Sequence, residues 1–84
     1  MLGYQAHTET RRPSMPLSLV RSGETVAVSS VRGDEGIRRH LKSLGFVSGS
    51  QVHVVTAGGS NIIVNVKGTR LGLDSRVAQH VMTT

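Results

Sequence analysis

The sequence contains no cysteine and no tryptophan, and of its 84 residues only Tyr4 and Phe46 are aromatic. The first absence excludes a disulfide framework, a thiolate nucleophile and any metal site built on sulfur, and it fits a reducing, cytoplasmic setting. The scarcity of aromatics leaves almost no platform on which nucleic-acid bases could stack. Apolar runs are only a few residues long, against the roughly 18 to 20 needed to cross a bilayer, and the N-terminus lacks the apolar centre of a signal peptide. Acidic residues are few as well: five Asp and Glu stand against ten Lys and Arg, a net charge of +5. That surplus favours acidic partners, anionic membrane surfaces or nucleic acid in a general way. A chain this short buries only about 60% of its unfolded surface, so it has room for one core and none for a large enclosed active site.

What is present is a succession of short strand patterns. Residues 1–14, MLGYQAHTETRRPS, are polar, have no apolar period and end in a Pro-Ser step. They are expected to be a disordered extension or a vector remnant ahead of one folded domain at residues 15–84. Leu17, Leu19 and Val20 offer apolar anchors at its start, and Ser22-Gly23 marks a turn. In ETVAVSSV, Glu24 to Val31, Val26 and Val28 fall on one face and Ala27 and Ser29 on the other, the period of two of a half-buried strand. SQVHVVTA, Ser50 to Ala57, continues the pattern with Val52, Val54 and Thr56 on one face. Gly58-Gly59-Ser60 predicts a hairpin into NIIVNVK, where Ile62, Val64 and Val66 share a face. Lys67-Gly68-Thr69 predicts a second turn into Arg70 to Leu73. DSRVAQ predicts one helical turn begun at Asp74, and HVMT a last strand.

Between the first two strands the period changes. Gly33-Asp34 breaks the alternation, and DEGIRRHLKSL sets Ile37, Leu41 and Leu44 at i, i+4 and i+7, the apolar stripe of a helix. Asp34 and Glu35 suit its positive N-terminus, while Arg38, Arg39, His40 and Lys42 populate the turns toward its negative C-terminus. Gly45 supplies the left-handed residue at which a helix commonly stops, with Phe46 and Val47 folding back onto Leu41 and Leu44. Gly49 then turns the chain into the next strand. Short strands, tight turns and one early helix predict a mainly β fold. The pattern fits a small SH3-like, partly open barrel of about five strands with one inserted α-helix, an OB-fold being the structural competitor.

In the order LSLVRSGE, HLKSLGFVSGSQV and NIIVNVKGTRLGLDSRVAQHV, nearly all of the domain resembles the FeoA family, the small component of bacterial ferrous iron transport. Leu41, Leu44, Gly45, Phe46 and Gly49 match its most specific segment, a leucine before Leu-Gly, a large apolar residue and a glycine turn. Gly23-Glu24 matches the Gly-Glu pair before the first strand, and Val66, Gly68, Leu71, Leu73 and Ala78 match the late run. Ser48 stands where proline is usual, and Ser60-Asn61 replaces a frequent Gly-Pro; both changes loosen a turn. The resemblance implies an SH3-like fold, a cytoplasmic location, no catalysis and no cofactor. It also implies a role as accessory to FeoB, the membrane iron transporter with a cytosolic GTP-binding domain, so that the chain is peripheral to the membrane through its partner. The same fold forms the C-terminal domain of iron-dependent repressors, which leaves a regulator domain as one alternative, a KOW-like RNA-binding barrel being the other.

The expected partner site is a groove walled by the helix end and the following turn, comprising Arg38, Leu41, Lys42, Leu44, Gly45, Phe46 and Gly49. Helix spacing explains Leu41 and Leu44 more directly as core residues. Arg32, Arg38, Arg39 and Lys42 give the helix a basic face, although without Glu9, Arg11 and Arg12 the domain still carries a net +4 that is spread along it. His7, His40, His53 and His80 show no metal-ligand spacing. Glu24, Asp34, Glu35 and Asp74 sit at turns or helix starts, where capping accounts for them. Gly58-Gly59-Ser60-Asn61 lacks the Gly-Lys-Ser/Thr ending of a phosphate loop. SGETVAVSSVRG resembles the opening of KOW-type RNA-binding barrels, but a helix follows where that motif continues as strand, so nucleic acid is not the expected partner. An exposed edge strand makes a homodimer the remaining association to consider.

Overall fold

The computed structural model describes residues 14–84 of the chain. The extension expected at residues 1–14 therefore lies, except for Ser14, outside the described residues. Six strands are present: β1 (Met15–Pro16), β2 (Thr25–Val31), β3 (Gln51–Gly58), β4 (Asn61–Val66), β5 (Thr69–Asp74) and β6 (Val81–Thr83). A 3-10 turn (Leu17–Leu19) follows β1, helix α1 (Glu35–Ser43) links β2 to β3, and the single-turn helix α2 (Ser75–Ala78) links β5 to β6. All pairings are antiparallel, and the strands lie in the order β1-β6-β2-β3-β4-β5. β1 and β5 do not pair, so the sheet stays open at both ends.

The fold matches the expected mainly β architecture with one inserted helix, with one more strand than the pattern foretold. The addition is β1, which at two residues is too short to show a period. It is held to β6 by its ladder and by the hydroxyl of Thr83, a buried polar side chain that donates to the Met15 carbonyl at 2.9 Å. Leu19 does not anchor the domain as expected and is 65% exposed. A 3-10 turn repeats every three residues, which brings Leu17 and Val20 to one side and turns Leu19 away. Leu17 and Val20 are buried, and the Val20 N–H closes the turn on the Leu17 carbonyl at 3.0 Å.

Two bulges correct the simple alternation. In β3 the pairing passes from Val54↔Val64 to Thr56↔Ile63, so one extra residue shifts the faces. Thr56 is consequently exposed, while Ala57, opposite buried Ile62, takes the core side. In β2 the register slips between Val28 and Ser30 against β6, and the core face passes from Val26 and Val28 to Val31. Each bulge bends the strand and sharpens its twist, which curls six short strands around one core. That core combines Val26 and Val28 of β2 and Val52 and Val54 of β3 with Ile62, Val64 and Val66 of β4, and includes Leu17, Leu41, Phe46 and Val81.

Candidate functional site

Helix α1 is defined at both ends by backbone satisfaction. Asp34 is its N-cap, and its Oδ1 accepts the Ile37 N–H at 2.9 Å. At the other end Gly45 adopts φ +108°; its N–H bonds the Lys42 carbonyl at 3.0 Å, and the Phe46 N–H bonds the Leu41 carbonyl at 3.1 Å. These two bonds form a Schellman motif, whose customary apolar partners are here Leu41 and Phe46, both buried in the core. The following loop is tied to β2 by reciprocal bonds, Gly49 N–H to the Val28 carbonyl and Val28 N–H to the Ser50 carbonyl, each 2.8 Å.

Beyond Val28 the loop leaves the strand; Ser30 and Val31 have a ladder partner only in β6, and Ser29, the bulged residue, has none. The space between them and the helix is a groove of about 350 Å³. One wall is Ser29, Ser30 and Val31, the opposite wall is Arg38 and Lys42 of α1, and Phe46, Val47 and Ser48 close its end. The Ser48 hydroxyl donates across to the Ser29 carbonyl at 3.4 Å. Arg38 and Lys42 are one helical turn apart, a like-charge i,i+4 pair that costs an isolated helix about 0.2–0.5 kcal/mol. Neither forms an ion pair among the described residues, although Arg38 Nη1 donates to the Gly33 carbonyl at 3.2 Å. No acidic side chain lines the groove.

Of the seven residues expected at the partner site, Arg38, Lys42 and Phe46 meet in this groove. Leu41 is fully buried, and Leu44 is half-buried against the core. Gly45 lies near the Lys67 side chain, and Gly49 serves the bond to Val28. Arg39 instead pairs with Glu35 at 3.0 Å on the exposed side of the helix. Ser29, Ser30, Val31, Val47 and Ser48 were not foreseen in the groove. The pertinent signal is the Ser29-Ser30 pair, which interrupts an otherwise valine-rich strand where its register slips.

The remaining polar features are separate from this groove. His53 Nδ1 lies 2.8 Å from Thr25 Oγ1, beside an open hollow of about 550 Å³ that also touches Asn65 and Lys67. His80 and Ile37 border a third depression with α2. Among the described residues no group of three or more His, Asp or Glu side chains could hold a metal ion; His7 lies outside them. Asp74 caps α2 by accepting the Arg76 N–H at 2.8 Å, and this bond with the neighbouring Arg76 guanidinium holds its carboxyl below the ordinary Asp value. No helix among the described residues is long and apolar enough to cross a membrane.

The FeoA domain family matches residues 15–84. A crystal structure of an iron uptake regulatory protein, FeoA, is similar with a TM-score of 0.80 at 28% identity, covering 84% of this chain and 96% of that one. FeoA of Stenotrophomonas maltophilia, solved with zinc, is similar with a TM-score of 0.76 at 33% identity over 83% of this chain and 89% of that one. That protein is described as a prokaryotic SH3 domain protein and a candidate bacterial ferrous iron transport activating factor. A manganese-dependent transcriptional repressor reaches a TM-score of 0.80 at 23% identity, over 88% of this chain and 42% of that one, a likeness of fold alone. Among curated protein sequences none matches.

Proposed function

The chain belongs to the FeoA family, and from that premise we propose that it is a non-enzymatic accessory of ferrous iron uptake, working in the cytoplasm. In this reading it docks on the cytosolic GTP-binding domain of a FeoB-type transporter and modulates transport or GTP hydrolysis. The observation that carries the docking site is the groove whose helical wall bears Arg38 and Lys42, with no acidic side chain along it. Two cations one turn apart repel each other, so an acidic segment laid between α1 and β2 would relieve that repulsion. Leu41, Leu44, Gly45 and Gly49 would form the scaffold, setting where α1 ends and how the loop returns to β2. Val31, Phe46 and Val47 supply the apolar surface against which such a segment packs. Nothing in the groove favours catalysis: it offers no paired acid and base and no activated nucleophile.

A cell-based test follows. In a strain that depends on this chain for ferrous iron uptake, the double variant Arg38→Glu and Lys42→Glu should lose most of the uptake that the unaltered chain restores. Its abundance should be kept and its melting temperature should fall only slightly, because both side chains are exposed and the losses are the Arg38 bond to Gly33 and the fit of the Lys42 cation to the helix C-terminus. Full uptake by a folded double variant would remove the groove from the account.

A further inference from the structure

The two ends of the open sheet are unlike. β1 has two residues and contains Pro16, so it offers a second chain almost nothing to pair with. β5 has six residues, contains no proline, lysine or glutamate, and keeps an unbroken register with β4 from Asn61↔Asp74 to Val66↔Thr69. No strand among the described residues pairs with its outer edge. Natural sheets usually blunt such an edge with charged side chains, above all lysine, or with proline, a bulge or brevity; β5 has only the oppositely charged Arg70 and Asp74.

The turn before β5 fixes which of its backbone groups point outward. Lys67 and Gly68 have φ of +51° and +78°, the two left-handed residues of a type I′ hairpin turn, which makes Val66 and Thr69 a hydrogen-bonded pair. Strict alternation then turns Leu71 and Leu73 toward β4 and leaves the N–H and C=O groups of Arg70 and Gly72 facing out. The Ser75 N–H, which donates back to the Ser60 carbonyl at 2.8 Å, confirms the parity.

We propose that β5 is a self-association edge, pairing antiparallel with β5 of a second copy about a two-fold axis at Gly72. In that register Arg70 stands opposite Asp74 of the other chain, twice by symmetry, and Leu71 stands opposite Leu73. A strand whose reversed sequence complements itself in charge and polarity meets the condition for an isologous contact. Gly72 lies at the crossing point, and a Cβ built on it meets nothing within 4 Å, so the centre of the contact is open. Arg70 forms no ion pair among the described residues, and Asp74 engages Arg76 through Oδ1 only, which leaves its second carboxylate oxygen for Arg70 of the other chain. Two short strands bury well under the roughly 1,000 Å² of a stable interface, so the dimer is weak and concentration-dependent. The contact uses the sheet end opposite β1 and none of the groove residues, and it does not depend on the proposed partner.

The chain has no cysteine, which makes the test clean. In the proposed register the two Gly72 Cα atoms are a hydrogen-bonded antiparallel pair, about 5.5 Å apart, within the span a disulfide bridges. The full-length Gly72→Cys variant, oxidised with glutathione disulfide, should form a covalent dimer at least about tenfold faster than Ser43→Cys on the exposed end of α1, because pairing raises the local thiol concentration. Arg70→Cys should remain slow, since position 70 faces position 74 across the axis. Equal rates for Gly72→Cys and Ser43→Cys, or cross-linking of Arg70→Cys as fast as Gly72→Cys, would overturn the proposal. Circular dichroism of each variant verifies that the fold is kept.

Discussion

At the scale of single residues, the junction after α1 depends on Gly45. Its φ of +108° is a conformation that side chains resist, yet a Cβ placed there meets nothing closer than 3.5 Å, the nearest atom being in the flexible Lys67 side chain. The penalty for Gly45→Ala is therefore conformational, about 1–2 kcal/mol. Urea unfolding should show a lower midpoint with an unchanged slope. Asp74 sets a pH effect whose sign follows from its surroundings. Its folded pKa is depressed, so the stability it contributes is present above the unfolded value and is lost as pH falls through the folded one. Asp74→Asn should flatten that part of the acid limb in a pH series of melting temperatures and lower the neutral-to-alkaline limb without changing its slope. The roles of Asp34, Gly45 and Asp74 were legible in the sequence because a cap or a left-handed stop needs only local chemistry. Leu19 was not, because the three-residue period of a 3-10 turn cannot be distinguished from irregular chain over so short a run.

At the scale of elements, α1 and the sheet differ in how firmly they are held. Leu41 is the one residue of α1 that is fully buried, with Ile37 packed half-buried against the core. β4 alone contributes Ile62, Val64 and Val66, and it is paired along its whole length on both sides. Amide hydrogen exchange should therefore open α1 ahead of β3 and β4, with the middle amides of α1 exchanging at least about tenfold faster than those of Val54 and Val64. Strand existence was readable from alternation, and the helix from its stripe and caps. The bulges at Ser29-Ser30 and Val55-Thr56 were not, because an extra residue in one strand is defined only against its neighbour. The groove lies beside the first of them: once the loop leaves β2 after Val28, Ser29–Val31 face α1 across open space. A sequence reading could therefore name Arg38, Lys42 and Phe46, which lie on or just after α1, but not the residues of the facing wall.

At the scale of the whole molecule, a basic single-core domain carries the two surfaces proposed here for association. One is the groove between α1 and β2, with two unneutralised cations. The other is the free edge of β5, complementary to itself. Among the described residues the sole aromatic is Phe46, and it is 1% exposed, so the domain presents no base-stacking surface there and its surplus charge is better matched to an acidic protein surface. The central claim is that this charge acts through the groove on a FeoB-type partner. The most direct measurement is a calorimetric titration of the full-length chain into the cytosolic domain of that transporter, with and without guanine nucleotide, repeated with the Arg38→Glu and Lys42→Glu double variant. The account predicts saturable binding in at least one nucleotide state, weakened by about tenfold or more in the variant, as loss of charge pairs at an interface does. Absence of binding in every nucleotide state, or equal binding by the folded variant, would contradict it.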